Sequence, residues 1–340
     1  MSDPQSVQVR PARQPRRRRR WWLPLVPFVI SLVLLAVPWW TLLGAQTRWP
    51  TVVVVIGTLL FVAVFVALPA LMVLGHGGRR PDWATVAADT LLGAVWVLFT
   101  CSVLALVPRL ALLVAGVEEP TRSRIVAYVV VVVTVAVLAW GHYEAMRVPR
   151  TRALDVVIPR LGAGLDGLRV VMVTDTHYGP IDRRRWSAGV SARVNELAAD
   201  VVCHVGDIAD GTVAQRESQA APLAEMRGSL ARVYVTGNHE YYGEAAGWLR
   251  YMAGIGWDVL HNKHIVVERG GDQLIVAGVD DATARGSSVP GHGADLDGAL
   301  AGTDPSLPVL LLAHQPKQVP DAVRAGVDLQ VSGHTHGGQI

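Results

Sequence analysis

Hydrophobic positions run in long unbroken blocks up to about residue 150 and in short ones beyond it, so one chain is expected to hold two kinds of structure. Residues 21–47, 51–74 and 90–108 contain no Asp, Glu, Lys or Arg, and neither does 125–143 (IVAYVVVVVTVAVLAWGHY), which has one histidine, His142. A helix needs about 20 apolar residues to cross the hydrocarbon core of a bilayer. Any one block would also suit a buried core helix. Four in succession, with Trp21, Trp22, Trp49 and Trp140 near their ends, fit membrane spans with interfacial anchors. The pattern predicts a transmembrane region over 21–146 with helices at about 21–43, 51–74, 88–108 and 124–145.

Charge adds an orientation. RPARQPRRRRR (10–20) precedes the first block, Arg79 and Arg80 lie between the second and third, and Arg147, Arg150 and Arg152 follow the fourth. The other two connections are poorer in net positive charge: one has Arg48, the other offsets Arg109, Arg122 and Arg124 with Glu118 and Glu119. Lys and Arg flanking spans favour the cytoplasmic side. Both ends of a multi-pass protein of the plasma membrane are therefore expected in the cytoplasm, with residues 1–20 as a basic tail. That tail could also be read as a nucleic-acid-binding or export signal. Its direct abutment on a span, and the further spans that follow, favour a topogenic role.

After residue 153 the texture becomes that of an α/β domain, placed with its linker at 147–340. LRVVMVT (168–174), DVVCHV (200–205), ARVYVT (231–236), LIVAGV (274–279), PVLLLA (308–313) and VDLQVS (327–332) read as strands. Helical patterns lie between, at 184–199 and near 214–228. Continuous apolar strands with intervening helices imply sheets covered by helices. LDVVI (154–158), in the linker, reads as an edge strand. Composition changes little: the 51% hydrophobic fraction sits mostly in the first half, and the net charge of +3 reflects local clusters. Cys101 and Cys203 occupy unrelated apolar contexts and read as small hydrophobes rather than a disulfide.

The chemistry lies just after the strands. Asp175-Thr176-His177 follows the first, Gly206-Asp207 the second and Gly237-Asn238-His239-Glu240 the third. His314 follows PVLLLA, and Gly333-His334-Thr335-His336 follows VDLQVS. Open α/β sheets gather ligands at their carboxyl ends. Asp, Asn and His without thiolate suit manganese, iron or zinc better than calcium, and do not suit a structural zinc. Seven such donors exceed the needs of one ion, which implies two divalent ions sharing a carboxylate, an arrangement suited to phosphoryl displacement. Taken singly, each motif also reads as a turn, a helix cap or a core histidine.

This ordered set, D-x-H, G-D, G-N-H-E, H and G-H-x-H over residues 154–340, resembles the calcineurin-like metallophosphoesterases, in particular their membrane-anchored bacterial branch. The resemblance implies a two-sheet sandwich flanked by helices (α-β-β-α). It also implies hydrolysis of a phosphomonoester, phosphodiester or pyrophosphate by a metal-activated hydroxide. One ion would be held by Asp175, His177 and His336, the other by Asn238, His314 and His334, with Asp207 bridging. His239 would be the general acid, and Asp210 and Glu240 supporting or capping groups. His204, His261, His264 and His292 read as structural or surface residues, and Asp280 and Asp281 as bordering the pocket without a mechanism. In the family the chain usually continues past G-H-x-H, so with Ile340 last C-terminal strands are expected to be missing.

A bilayer and a phosphorylated substrate, lipid-linked phosphates included, are the expected partners; nucleic acid is disfavoured. The alternative function is a membrane sensor or transporter-like protein whose soluble domain binds metal or ligand without turnover. Span interiors free of charge argue against transport.

Overall fold

The computed structural model describes residues 26–77 and 81–338. The basic tail, Trp21, Trp22, Arg79, Arg80 and Ile340 lie outside the described residues. The chain divides into two compact units, Met1–Ala139 and Trp140–Ile340.

The first unit is helical, with α1 (Val26–Trp39), α2 (Thr51–His76), α3 (Asp82–Leu104) and α4 (Leu106–Val114), and it contains most of α5 (Thr121–Met146). Among the described residues three helical stretches are long and apolar enough to cross a membrane: α2, α3 continued by α4, and α5. The expectation of four is thus met by three, together with a shorter apolar stretch, Phe28–Gly44; the start of the first predicted span is not described. The third span is longer than predicted, because a charge ends an apolar run without ending a helix. Arg109 continues the helical path and its guanidinium reaches Glu119 at 3.1 Å. The interruption at Ala105 has a local cause: Pro108 has no N–H to give the Leu104 carbonyl. Leu34, Leu35 and Val95 pack inward with Phe61, Phe65 and Phe99. Val52, Leu59, Leu60 and Val132 are more than half exposed, as suits helices that are apolar all round.

Among the described residues the second unit holds two four-stranded sheets. In the first, β1 (Val170–Val173), β2 (Val201–Val205), β3 (Ala231–Val235) and β4 (Asp258–Val259) lie parallel in that order. In the second, β5 (Lys263–Arg269) pairs antiparallel with β6 (Asp272–Gly278), and β6, β7 (Val309–Leu312) and β8 (Leu329–Val331) are parallel. Alternation along the strands builds three apolar layers. Val201, Cys203 and Val205 of β2 face Val276, Leu310 and Leu312 between the sheets. On the other face, Val202 and Tyr234 pack with residues of α6 (Arg184–Glu196) and α9 (Ala245–Gly254), such as Val190, Val194, Trp248 and Met252. The far side of the second sheet is covered through Ala299 of α10 (Leu296–Leu300) and Ala322 of α11 (Val319–Arg324). Two further helices, α7 (Val213–Ala220) and α8 (Asn238–Tyr242), follow β2 and β3. Burial pushes the Cys203 thiol up to about 12, and both cysteines are free.

LDVVI does not form the edge strand expected of it. Residues 154–158 make no ladder, and Leu154 and Val157 are 85% and 88% exposed. Alternating side chains alone do not make a strand without a partner for the backbone N–H and C=O groups.

Candidate metal centre

Parallel order aligns the carboxyl ends of β1, β2 and β3 along one edge of the first sheet, and β7 and β8 end beside them. Each ends in a sharp turn whose first residues carry the chemistry. Asp175, His177, Asp207, His334 and His336 all have positive φ, from 41° to 68°. For residues with a Cβ this costs on the order of 1 kcal/mol each, and such conformers cluster at functional sites. The turns also bring backbones close together. A Cβ on Gly237 would sit 2.2 Å from Asp207 Oδ1, so glycine there lets the third turn reach the second.

All seven predicted donors come together. Asp175, His177 and His336 form one group and Asp207, His314 and His334 a second, the donor atoms of each lying within 4.8 Å of one another. Asn238 Oδ1 joins the second group, 2.8 Å from His334 Nδ1 and 3.2 Å from His314 Nε2. Asp207 lies between the groups, with Oδ2 3.1 Å from His314 Nε2 and 3.6 Å from His177 Nε2. The two sheets meet at His314, whose Nδ1–H donates to the Val205 carbonyl at 2.7 Å. That bond fixes the tautomer and turns Nε2 toward Asp207 and Asn238. The Asp175 carboxylate accepts the His334 N–H, at 2.9 and 3.1 Å, and so ties the last turn to the first.

The electrostatics suit cations. Burial works to raise the Asp207 carboxyl, yet the His314 imidazole and the His239 N–H hold it low. Burial would lower His314, but the Asp207 carboxylate outweighs it and raises the imidazole to about 9. His177 Nε2 and His336 Nε2 face each other at 3.1 Å, where two imidazole nitrogens need a shared proton or a cation. Oxygen and imidazole donors converging in this way fit divalent ions of the manganese, iron or zinc kind.

The supporting residues are more specific than their sequence context suggested. His239 donates its backbone N–H to Asp207 Oδ1 at 2.8 Å, and its Nδ1 pairs closely with Asp210. Burial lowers His239, but Asp210 outweighs it and raises the imidazole. Asp210 also lies 3.4 Å from His177 Nδ1, so one half-exposed carboxylate orients two imidazoles. Glu240 is fully buried and accepts the N–H groups of Asp207, Ile208 and Gly237 at 3.0, 2.7 and 2.6 Å. Burial and the Asp207 charge push its carboxyl up to about 7, against those three hydrogen bonds. His204 is buried on the helix side of β2, where burial pushes it down to about 3, in keeping with a structural role. His261 and His292, read as structural or surface residues, instead meet Asp280 in a separate cluster.

Residues 168–338 match the family model for calcineurin-like phosphoesterases. The chain belongs to that family. It is 35% identical over 273 residues, 77% of its own length, to a zebrafish (Danio rerio) "transmembrane protein with metallophosphoesterase domain". The bovine (Bos taurus) protein of the same description is 31% identical over 280 residues. Both alignments are longer than the segment matched by the family model, so the similarity is not confined to it. An uncharacterized metallophosphoesterase of Helicobacter pylori is 32% identical over 201 residues, covering 59% of this chain and 52% of that protein. The chain spans 62% and 63% of the fish and bovine relatives.

Proposed function

We propose that this chain is a membrane-anchored, metal-dependent hydrolase of phosphoester or pyrophosphate bonds, with lipid-linked phosphates in its substrate class. The observation that carries the reading is the convergence of seven Asp, Asn and His donors from five distant segments, with Asp207 within reach of both groups. Asp175, His177 and His336 would hold one divalent ion and Asn238, His314 and His334 another, with Asp207 shared. Such a pair, when bound, supplies an activated water at neutral pH and neutralises charge on the phosphoryl oxygens. The protein's own part is positional. Asp210 keeps a proton on His239 Nδ1 and leaves Nε2 to serve the pocket, where His239 protonates the departing oxygen. The apolar helices next to this unit in sequence favour a substrate presented at a bilayer.

The test is a panel of p-nitrophenyl phosphate, its bis ester and lipid-linked pyrophosphates, given to the full chain with manganese. Turnover of at least one ester is expected. His239→Ala should lower kcat by roughly 10²–10⁴-fold with metal content unchanged, the range of general acid catalysis. Metal-replete protein inert on the whole panel would leave only a binding domain.

Arg147, Arg150 and Arg152, just beyond α5, support a cytoplasmic second unit, reached after four spans if residues 21–43 form the first. A reporter fused after residue 150 is expected to be active only on the cytoplasmic side; activity on the outer face reverses the topology.

A further inference from the structure

Away from the Asp207 cluster, three turns meet on the second sheet. His261 lies between β4 and β5, Asp280 just past the carboxyl end of β6, and His292 in the loop leading to α10. One donor atom from each lies within 4.8 Å of the others. Asp280 is 1% exposed. Its Oδ1 is 2.6 Å from His261 Nδ1, and its Oδ2 is 3.9 Å from His292 Nδ1. The imidazole rings lie 4.5 Å apart at 35°.

We propose that His261, Asp280 and His292 form a separate mononuclear site for a first-row transition ion of the zinc kind.

Four features support the assignment. The first is the donor set: two imidazoles and one carboxylate, with solvent on one side, resemble a three-ligand zinc site with an open position, whereas calcium takes six to eight oxygens. Second, the carboxylate is held from outside, as ligating groups usually are. Asp280 Oδ2 accepts the Gly293 N–H at 2.9 Å and an Asn262 side-chain N–H at 3.3 Å. Third, Asn262 clasps the turns together: its Oδ1 accepts the N–H of Asp280 at 3.0 Å and of Asp295 at 3.1 Å, and its Nδ2–H reaches the Gly293 carbonyl at 2.7 Å. Fourth, the two imidazole rings lie 4.5 Å apart beside the one carboxylate, close enough for one nitrogen of each to share an ion with it.

The site has a structural consequence. The Tyr241 hydroxyl, in α8, lies 3.0 Å from His292 Nδ1 and 3.2 Å from Thr236 Oγ1. Tyr241 thus holds the His292 ring, and with it the 281–295 loop, beside the helix that carries Asn238 and His239.

The proposal does not rest on the phosphoesterase reading, and the experiment separates the two. The full chain in detergent is stripped with chelator, refilled with zinc, desalted and analysed for metal per protein. This is done for Asp207→Ala and for Asp207→Ala combined with His261→Gln and His292→Gln. The combined variant is expected to hold one zinc fewer per chain. Zinc should also raise the melting temperature of Asp207→Ala more than that of the combined variant, by mass action on the folded state. Cobalt substitution should give a visible absorption difference between the two. Equal zinc content in the two proteins, with matching far-UV circular dichroism, overturns the proposal. The phosphoesterase reading is judged separately, by turnover of the wild type.

Discussion

Replacing Asp207 by alanine is expected to reduce manganese-supported phosphoester turnover by roughly a thousandfold or more, the scale of losing a main electrostatic element of a metal centre. Asp207 reaches both groups: its Oδ2 stands 3.1 Å from His314 Nε2 and 3.6 Å from His177 Nε2. Its other oxygen holds the His239 backbone N–H at 2.8 Å, so truncation also loosens His239, the proposed general acid. With the carboxylate gone, imidazoles that faced an anion face one another, and metal affinity falls with activity. The turn itself should persist, because Glu240 grips the N–H groups of residues 207 and 208. Rates on p-nitrophenyl phosphate and metal content, measured on protein of unchanged circular dichroism, check this. Turnover within about tenfold of wild type would remove Asp207 from the centre.

Much of this site was legible because its residues sit where parallel strands must end. Val201–Val205 and Ala231–Val235 are buried apolar runs and Val170–Val173 a half-buried one, each punctuated by glycine or a short polar turn, and the next residue is the donor. The second sheet was less legible. Lys263–Arg269 is a full strand, yet KHIVVER has charge at both ends and only Val267 fully buried, as befits an edge. Its signal was the turn: Gly270 and Gly271, at φ of 63° and 87°, join two strands pairing residue for residue, as a two-residue hairpin loop requires. β4, at two residues, is too short to leave a pattern. LDVVI misled for the opposite reason, since its alternation has no ladder behind it. His261 and His292 read as structural or surface residues, and Asp280 as a pocket border without a mechanism, because their segments do not all end strands and only the fold closes the gap between residues 261 and 292. Charge is likewise a poor mark of a helix end: Arg109 lies inside α4, with its guanidinium 3.1 Å from Glu119.

Glu240→Ala is expected to destabilise the second unit by roughly 3 kcal/mol, since each buried N–H left without an acceptor costs about 1–3 kcal/mol. Three are at stake, on Asp207, Ile208 and Gly237, all within a fully buried setting. For a unit of this size that corresponds to a fall in melting temperature of about 6–12 °C. The isosteric Glu240→Gln should fall between, because the amide keeps one accepting oxygen but points an NH₂ at a backbone donor. Activity should drop along with stability. Asp207 sits at a φ of 54°, and the Glu240 carboxylate is what draws its N–H and the next one into that turn. A displacement of about 1 Å in a positioned catalytic group costs on the order of a hundredfold. Thermal unfolding of both variants, read beside their turnover, tests the argument. A melting temperature of Glu240→Ala within about 2 °C of wild type would mean that water or a shifted backbone satisfies the three donors, and that the turn at Asp207 is held by something else.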